Sequence, residues 1–372
     1  MSAPLLVIFV DAYPFADSAP LVKRLGASTY KKVTPGVGYS INVKSEIFAQ
    51  MKPDDVGYFC EWVYKRDKVH TWMTPPVVSV LSALGSISTL ANRIVHKLVR
   101  MVLKEPIYAI PFDVLPFFKN AGATAYDPGF DHPTFLSKLD FDRVLYSEIG
   151  VNDRKVFTKA METLRETKPK RLFVSTAELD GVMHHHGKDC ERYDQQVALI
   201  DDHVVDLVTE FKNVHGPEAR YFIFSDHGMC PVTEAVEFDI RGVLGKPGQD
   251  SYAYFIDATF FRVWLNDKAL EPTLLAAFEK LGHGHVLTQS ERAEYGLTNA
   301  SHGDVIFLLD ELKMFAPSFF GNEICKAMHG YDPALESQQG TLISNFDAGD
   351  HTHVHAQGIY DLVMQAGQPA AG

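Results

Sequence analysis

The sequence predicts an α/β fold: a mostly parallel central sheet flanked by helices, with an inserted helical cap and a small α/β lobe. Three observations predict it. Short apolar runs at Leu5–Val10, Arg171–Ser175 and Tyr221–Ser225 have the continuous hydrophobicity of strands buried on both faces. Each is followed closely by an aspartate: Asp11, Asp180 and Asp226. Ligands of open α/β sheets bind beyond the carboxyl ends of the strands, so three aspartates emerging there can converge. Between the runs lies helical spacing, clearest in Val197, Ile200, Val204, Val208 and Phe211 within Arg192–Lys212.

Taken in order, Met1-Ser-Ala-Pro4 runs straight into Leu5–Val10, an apolar stretch too short for a signal peptide and suited to a strand. Pro75-Pro76 opens a different region. A serine-rich apolar helix, Val77–Ala91, reads as buried or interfacial, and a basic amphipathic helix follows (Arg93, His96, Lys97, Arg100, Lys104). Pro106, Pro111 and Pro116 then break the chain, and 75–140 reads as an inserted cap. Val156–Thr167 forms a helix that Lys168-Pro-Lys170 ends. Residues 241–300 read as a small α/β lobe, with a strand at Ala253–Trp264 and a helix at Pro272–Leu281. The last helix is Gly358–Ala366, and the tail Gly367–Gly372 frays. The catalytic core is thus assigned to 1–74, 141–240 and 301–372.

The chain has 372 residues, enough for a large core, and a formal net charge of −12, which lacks the basic footprint of a nucleic-acid groove binder. An anionic substrate stays open, because bound cations invert a local field. Cys60, Cys190, Cys230 and Cys325 are scattered without a paired spacing, the pattern of reduced thiols in a cytoplasmic protein. No apolar run reaches the length of a membrane span. The basic helix in the cap reads as a solvated face, or else as a contact for an anionic substrate or a membrane surface through 75–104.

Four short motifs carry chemistry. In Asp180-Gly-Val-Met-His184-His185-His186-Gly187, Asp180 and His184 share a face if the segment is helical, and can share a metal. Ser225-Asp226-His227-Gly228-Met229 offers a carboxylate and an imidazole in one turn, with a glycine that lets backbone approach closely. Met328-His329-Gly330 adds a histidine. In Gly38-Tyr39-Ser40-Ile-Asn42-Val-Lys44, a serine meets the start of a helix, where backbone amides favour an anionic phosphate; a helix-capping serine is the plainer alternative. The alternation His351-Thr-His353-Val-His355 fits a short strand or extended loop better than a ligand set.

Together these motifs resemble the alkaline phosphatase superfamily, most closely its type I phosphodiesterase/nucleotide pyrophosphatase-like branch. The order of parts in that branch is matched by Asp11, Ser40, Asp180 with His184 and His186-Gly187, Asp226-His227-Gly228, and His329-Gly330. Pro53 and Gly57, Ser301-His-Gly-Asp304-Val-Ile-Phe and Ile359-Tyr-Asp-Leu-Val363 are further echoes.

The resemblance implies two divalent cations, zinc first and manganese as alternative. Asp11, Ser40, Asp226 and His227 would hold one, and Asp180, His184 and His329 the other. Ser40 would be the nucleophile and pass through a phosphoserine intermediate. Lys44 or Asn42 would steady phosphate oxygens, and His186 would orient a ligand. A small phosphate ester, diester or nucleotide-type before monoester, would be the substrate. The short gap from Asp11 to Ser40, and the threonine frequent in that branch, leave Ser45 and Thr34 as rival nucleophiles. A metal-dependent phosphomutase or phosphotransferase, and an inactive binding protein on the same scaffold, are the competing functions.

Overall fold

A computed structural model of the chain describes residues 4–105, 107, 109–123, 125–127, 129–150, 152–349 and 352–368. The chain divides into two compact units, 1–52 with 123–231 and 325–372, and 53–122 with 232–324.

Among the described residues, the first unit is built on a seven-stranded sheet. Its order is His353–His355, Thr29–Thr34, Gly340–Ser344, Arg220–Phe224, Leu5–Val10, Arg171–Thr176 and Asp142–Leu145. Leu5–Val10 pairs in parallel with Arg171–Thr176 and Arg220–Phe224, and Asp142–Leu145 extends the parallel set. Gly340–Ser344 alone runs against its two neighbours.

Along Leu5–Val10 the side chains alternate between two apolar layers. Leu6, Ile8 and Val10 join Val156, Leu164, Ile200, Val204 and Phe211 from the helices Asp153–Thr167 and Glu191–His215. Leu5, Val7 and Phe9 join Val43, Ile47, Phe48, Ile359 and Val363 from Ser40–Ala49 and Ala356–Gly367. Phe48 anchors that layer, with its ring 4.9 Å from Phe135 and edge-on to Phe9 at 6.0 Å.

Register positions the site. Val10 lies opposite Thr176, and Phe9 opposite Phe224. The three strands therefore stop level, and Asp11, Asp226 and the helix starting at Glu178 all leave from one edge.

The second unit carries a four-stranded antiparallel sheet in the order Tyr252–Ile256, Phe260–Leu265, Val305–Leu309, Gly284–Val286. Segments read from the sequence as a separate cap and lobe both contribute to this unit: 75–122 and 241–300 lie in it, while 123–140 lies in the first. Two expectations need correction. The single strand Ala253–Trp264 is a hairpin, turned at Asp257-Ala258-Thr259, where the buried Asp257 carboxylate pairs with Arg262 at 2.7 Å. The apolar helix expected at Val77–Ala91 ends at Ser86, and the basic helix expected after it begins earlier, at Thr89, because Ser88 caps it by accepting from the Ala91 amide.

Other elements match with longer ends: Asp153–Thr167, Glu191–His215, Glu271–Leu281 and Ala356–Gly367. His353–His355 is an edge strand, as its alternation suggests, while His351 and most of the expected frayed tail lie outside the described residues.

Candidate active site

The site is assembled within the first unit. Asp180 and His184 lie one turn apart on the helix Glu178–His186, which buries Leu179, Val182 and Met183 against the sheet layer. His184 turns Nδ1 to the Ala327 carbonyl at 2.9 Å and presents Nε2 to Asp180 Oδ1 at 3.3 Å, out of hydrogen-bond alignment. His227 is set in the same way. Its Nδ1 lies 2.9 Å from the Gly228 carbonyl, and its Nε2 faces Asp226 Oδ2 at 3.4 Å and Asp11 Oδ1 at 3.7 Å. A ring nitrogen tied to a carbonyl must carry a proton, so in the neutral ring the other nitrogen holds the lone pair a metal needs; on His184 a bound cation would have to displace the Nε2 proton that Asp180 favours.

Asp226 is fully buried and accepts from the Ala12 amide at 3.1 Å through Oδ1, which fixes the first and third strand ends to each other. His329 stacks on His227 with ring centroids 3.8 Å apart, and its Nε2 lies 3.8 Å from Asp180 Oδ1. Gln338, itself buried, holds the His329 loop by accepting from the Gly330 and Tyr331 amides.

Ser40 is the first residue of the helix Ser40–Ala49, where amides point out of the helix end, and its Oγ lies 2.9 Å from His227 Nε2. The N-cap is Tyr39, so Ser40 is not spent on capping. Its rivals point elsewhere: Ser45 Oγ donates to the Ile41 carbonyl within its own helix, and Thr34 Oγ1 bonds Gln339.

Asn42 also departs from expectation. Its amide is buried, accepting from the Tyr39 N–H at 3.0 Å and donating to the Val37 carbonyl at 2.6 Å, so it holds the turn that presents Ser40 rather than facing a ligand. Lys44 lies beside the cluster but donates to Asp11 Oδ2 at 2.8 Å, in a buried pair. His185 and His186 are exposed, so His186 is not held for orienting a ligand.

Electrostatics test whether cations fit. Burial, and then the Asp226 charge, push the Asp11 carboxyl up to about 7 against the pull of Lys44. Burial also raises Asp180 and is the largest single influence, but His184, His329 and His227 together outweigh it and leave that carboxyl below its ordinary range. Burial disfavours charge on His184, yet Asp180 drives the imidazole up to about 11. Burial and the neighbouring His227 hold His329 well below its ordinary value, hence neutral.

Asp11 Oδ1, Asp180 Oδ1, Asp226 Oδ2 and His329 Nδ1 are buried without a hydrogen-bond partner among the described residues. Donor atoms of Asp180, His227 and His329, and of Asp11, Asp226 and His227, lie within 4.8 Å of one another in two groups that share His227. Buried carboxylate oxygens left unpaired and facing imidazole lone pairs are what bound divalent cations would satisfy, so the residues fit such ions.

Sequence patterns missed two supporting residues. Asp153, fully buried, accepts through Oδ1 from the Ala177 and Glu178 amides at the start of the Asp180 helix, and through Oδ2 from Gln196. Its one signal is an aspartate directly after Asn152, the residue that caps its helix. Ser225 Oγ accepts from the Tyr13 amide at 2.7 Å, a second tie between the strand ends.

The sequence profile of the type I phosphodiesterase / nucleotide pyrophosphatase family matches residues 61–332. The chain belongs to this family. It is accordingly a phosphoric ester hydrolase, of a metal-dependent family within the alkaline phosphatase superfamily. The matched span includes Asp180, His184, Asp226, His227 and His329, while Asp11 and Ser40 precede it.

Solved structures share the fold. Human ectonucleotide pyrophosphatase / phosphodiesterase 5 superposes with a TM-score of 0.67 at 13% identity, covering 97% of this chain and 94% of that one. An inactive variant of the murine protein in complex with AMP gives 0.64 at 13% identity, over 100% and 97%. Phosphonoacetate hydrolase from Sinorhizobium meliloti, in complex with phosphonoformate, gives 0.65 at 14% identity, over 98% and 96%. A search of curated proteins finds no match.

Proposed function

We propose that the chain cleaves a phosphodiester, nucleotide-type before monoester, at a centre of two divalent cations with Ser40 as nucleophile. The observation that carries this reading is Ser40 Oγ lying 2.9 Å from His227 Nε2, the one donor common to both candidate ligand groups. Asp11, Ser40, Asp226 and His227 would hold one ion, and Asp180, His184 and His329 the other. Mixed carboxylate and imidazole donors favour zinc, with manganese second. Bound, the ions would lower the pKa of the hydroxyl and offset charge on the phosphate and leaving oxygen.

The chain's own groups do the rest. His227 fixes the direction of Ser40 Oγ. The outward amides at the first turn of the Ser40 helix favour the equatorial oxygens of the phosphate. Attack by Ser40 Oγ on the diester forms an O–P bond as the bond to the leaving oxygen breaks, the hydroxyl proton passing to the departing alcohol, and water then hydrolyses the ester on Ser40 to free the serine hydroxyl and a phosphate monoester. Lys44 acts on Asp11 rather than on substrate, because its ammonium is already directed to that carboxylate. We also place the protein in the cytoplasm, since Cys60, Cys190, Cys230 and Cys325 are thiols rather than disulfides.

The test compares turnover of p-nitrophenyl thymidine monophosphate, bis-p-nitrophenyl phosphate, p-nitrophenyl phosphate and phosphonoacetate, each with zinc and with manganese. Diesterase activity should dominate, and Ser40→Ala should abolish it while metal content stays at two ions per chain. Retained activity in Ser40→Ala would remove Ser40 as nucleophile. Phosphonoacetate cleavage without diesterase activity would replace the substrate class.

A further inference from the structure

The helix pair Pro75–Ser86 and Thr89–Leu103 takes no part in the ligand cluster, and its chemistry is unlike the rest of the chain. In a protein of net charge −12, no aspartate or glutamate occurs between Asp67 and Glu105, while Lys68, Arg93, Lys97, Arg100 and Lys104 do. Both helices bury one apolar side in the core of the second unit, through Val95 and Val99 with Val78, Leu81 and Leu103 packed against it.

Both also have a second apolar side facing out. Val80, Leu84, Ile87, Leu90, Ile94, Leu98, Met101 and Val102 are all exposed, Ile87 to 72%, Leu90 to 68% and Val102 to 66%. Soluble surfaces scatter such residues singly; a run of them along consecutive helices marks an interaction face.

The arrangement selects the partner. At 100° per residue, Leu90, Ile94, Leu98, Met101 and Val102 cover a sector of about 120°. Arg93, Lys97, Arg100 and Lys104 occupy the adjoining sector of about 60° on one side, and Val95 and Val99 point to the core. The four basic residues are exposed, and none pairs with a carboxylate among the described residues. An apolar stripe edged by unneutralised cations is the pattern of a helix that lies in a lipid headgroup layer.

The 15-residue helix is about 22 Å long, short of the ~30 Å hydrocarbon core, so it can lie on a bilayer but not span it. A second copy of this chain is a poorer occupant, because an antiparallel two-fold pairing of these helices would set one basic stripe against another and a parallel one would leave both stripes without acidic partners.

We propose that the outward face of residues 80–104 is a docking surface for an anionic lipid bilayer, with the apolar stripe entering the headgroup layer and Arg93, Lys97, Arg100 and Lys104 engaging acidic headgroups. The surface contains no ligand-cluster residue, so it stands apart from the catalytic reading.

The full chain is sedimented with vesicles of phosphatidylcholine alone and of equimolar phosphatidylcholine and phosphatidylglycerol. Binding should be strong only to the mixed vesicles and should weaken at high ionic strength. The double variant Ile94→Ser/Leu98→Ser should partition at least roughly tenfold more weakly, from the loss of two buried aliphatic side chains. Arg93→Glu/Lys97→Glu should lose the preference for anionic vesicles. Both variants should hydrolyse a soluble ester as the parent does, since every altered side chain is exposed and outside the site. Absence of binding by the parent chain, or unchanged binding by both variants, overturns the proposal. So does a dimer in sedimentation velocity that Ile94→Ser/Leu98→Ser dissociates while vesicles bind neither form.

Discussion

At the scale of single residues, the site is a set of charges that cannot all be satisfied by protein. Lys44 is the only cation paired directly with Asp11 among the described residues, and the two are buried together. Removing one partner of a buried pair costs about 3–5 kcal/mol, because the other charge is left alone. Lys44→Met should destabilise the chelated protein by that order in urea unfolding. A cation on Asp11 would take over the neutralising role, so the loss should shrink when zinc is present. An equal loss in both states would show that no cation reaches Asp11.

Asp153 gives a pH prediction. Burial pushes its carboxyl up to about 6, above the 3.8 of an unfolded chain, although the Ala177 and Glu178 amides pull it down. The folded state then binds more protons than the unfolded between these values, so the parent chain loses stability as pH rises through that window. Asp153→Asn removes the titration and keeps an acceptor for both amides. Relative to that variant, the parent should lose on the order of 2–3 kcal/mol between pH 4 and pH 7, read from paired urea titrations. A difference flat in pH would place the Asp153 proton elsewhere.

At the scale of elements, a turn and a helix decide which side chains meet. A methyl group on Gly228 would sit 2.4 Å from the Ser337 carbonyl oxygen and 2.9 Å from that of Gln339, so only glycine lets the Asp226-His227 turn lie against the Ser337–Gln339 backbone. Gly228→Ala should cost about 1–3 kcal/mol of stability, as overpacking does, and should lower metal content, because Asp226 and His227 shift with the turn. Normal metal content in that variant would show the turn to be slack.

The strands were legible from their apolar runs, and the helix Glu178–His186 meets the condition under which Asp180 and His184 share a face. Two boundaries were not. The hairpin at 252–265 hid inside one apolar run, since antiparallel partners with both faces buried show no period-two pattern. The break at Ile87-Ser88 hid inside a helical composition, because a serine cap competes with helix continuation only where the chain must turn.

At the scale of the whole molecule, all six metal-ligand candidates other than Ser40 belong to the first unit, with Ser40 beside them. Chelation should therefore speed hydrogen exchange in 5–11, 178–186 and 226–229 and leave the strands at 252–265 unaffected. Restoring zinc should reverse the change and stabilise the chain by about 2.7 kcal/mol at a hundredfold excess over the dissociation constant. Uniform exchange across both units would mean that the ions do not act locally. Among the described residues no helix is long and apolar enough to cross a membrane.

The linear chain determined by itself that an α/β sheet forms, that aspartates follow its strands, and that His184, His227 and His329 are present to join them, because burial period and residue chemistry are local properties. Tertiary structure alone decided that Val10, Thr176 and Phe224 end level, that Ser40 rather than Ser45 or Thr34 reaches His227, and that Lys44 turns to Asp11. Those outcomes depend on register and on pairs separated by tens to hundreds of residues, and hydrogen-bond competition between such distant groups leaves no trace in the spacing of either.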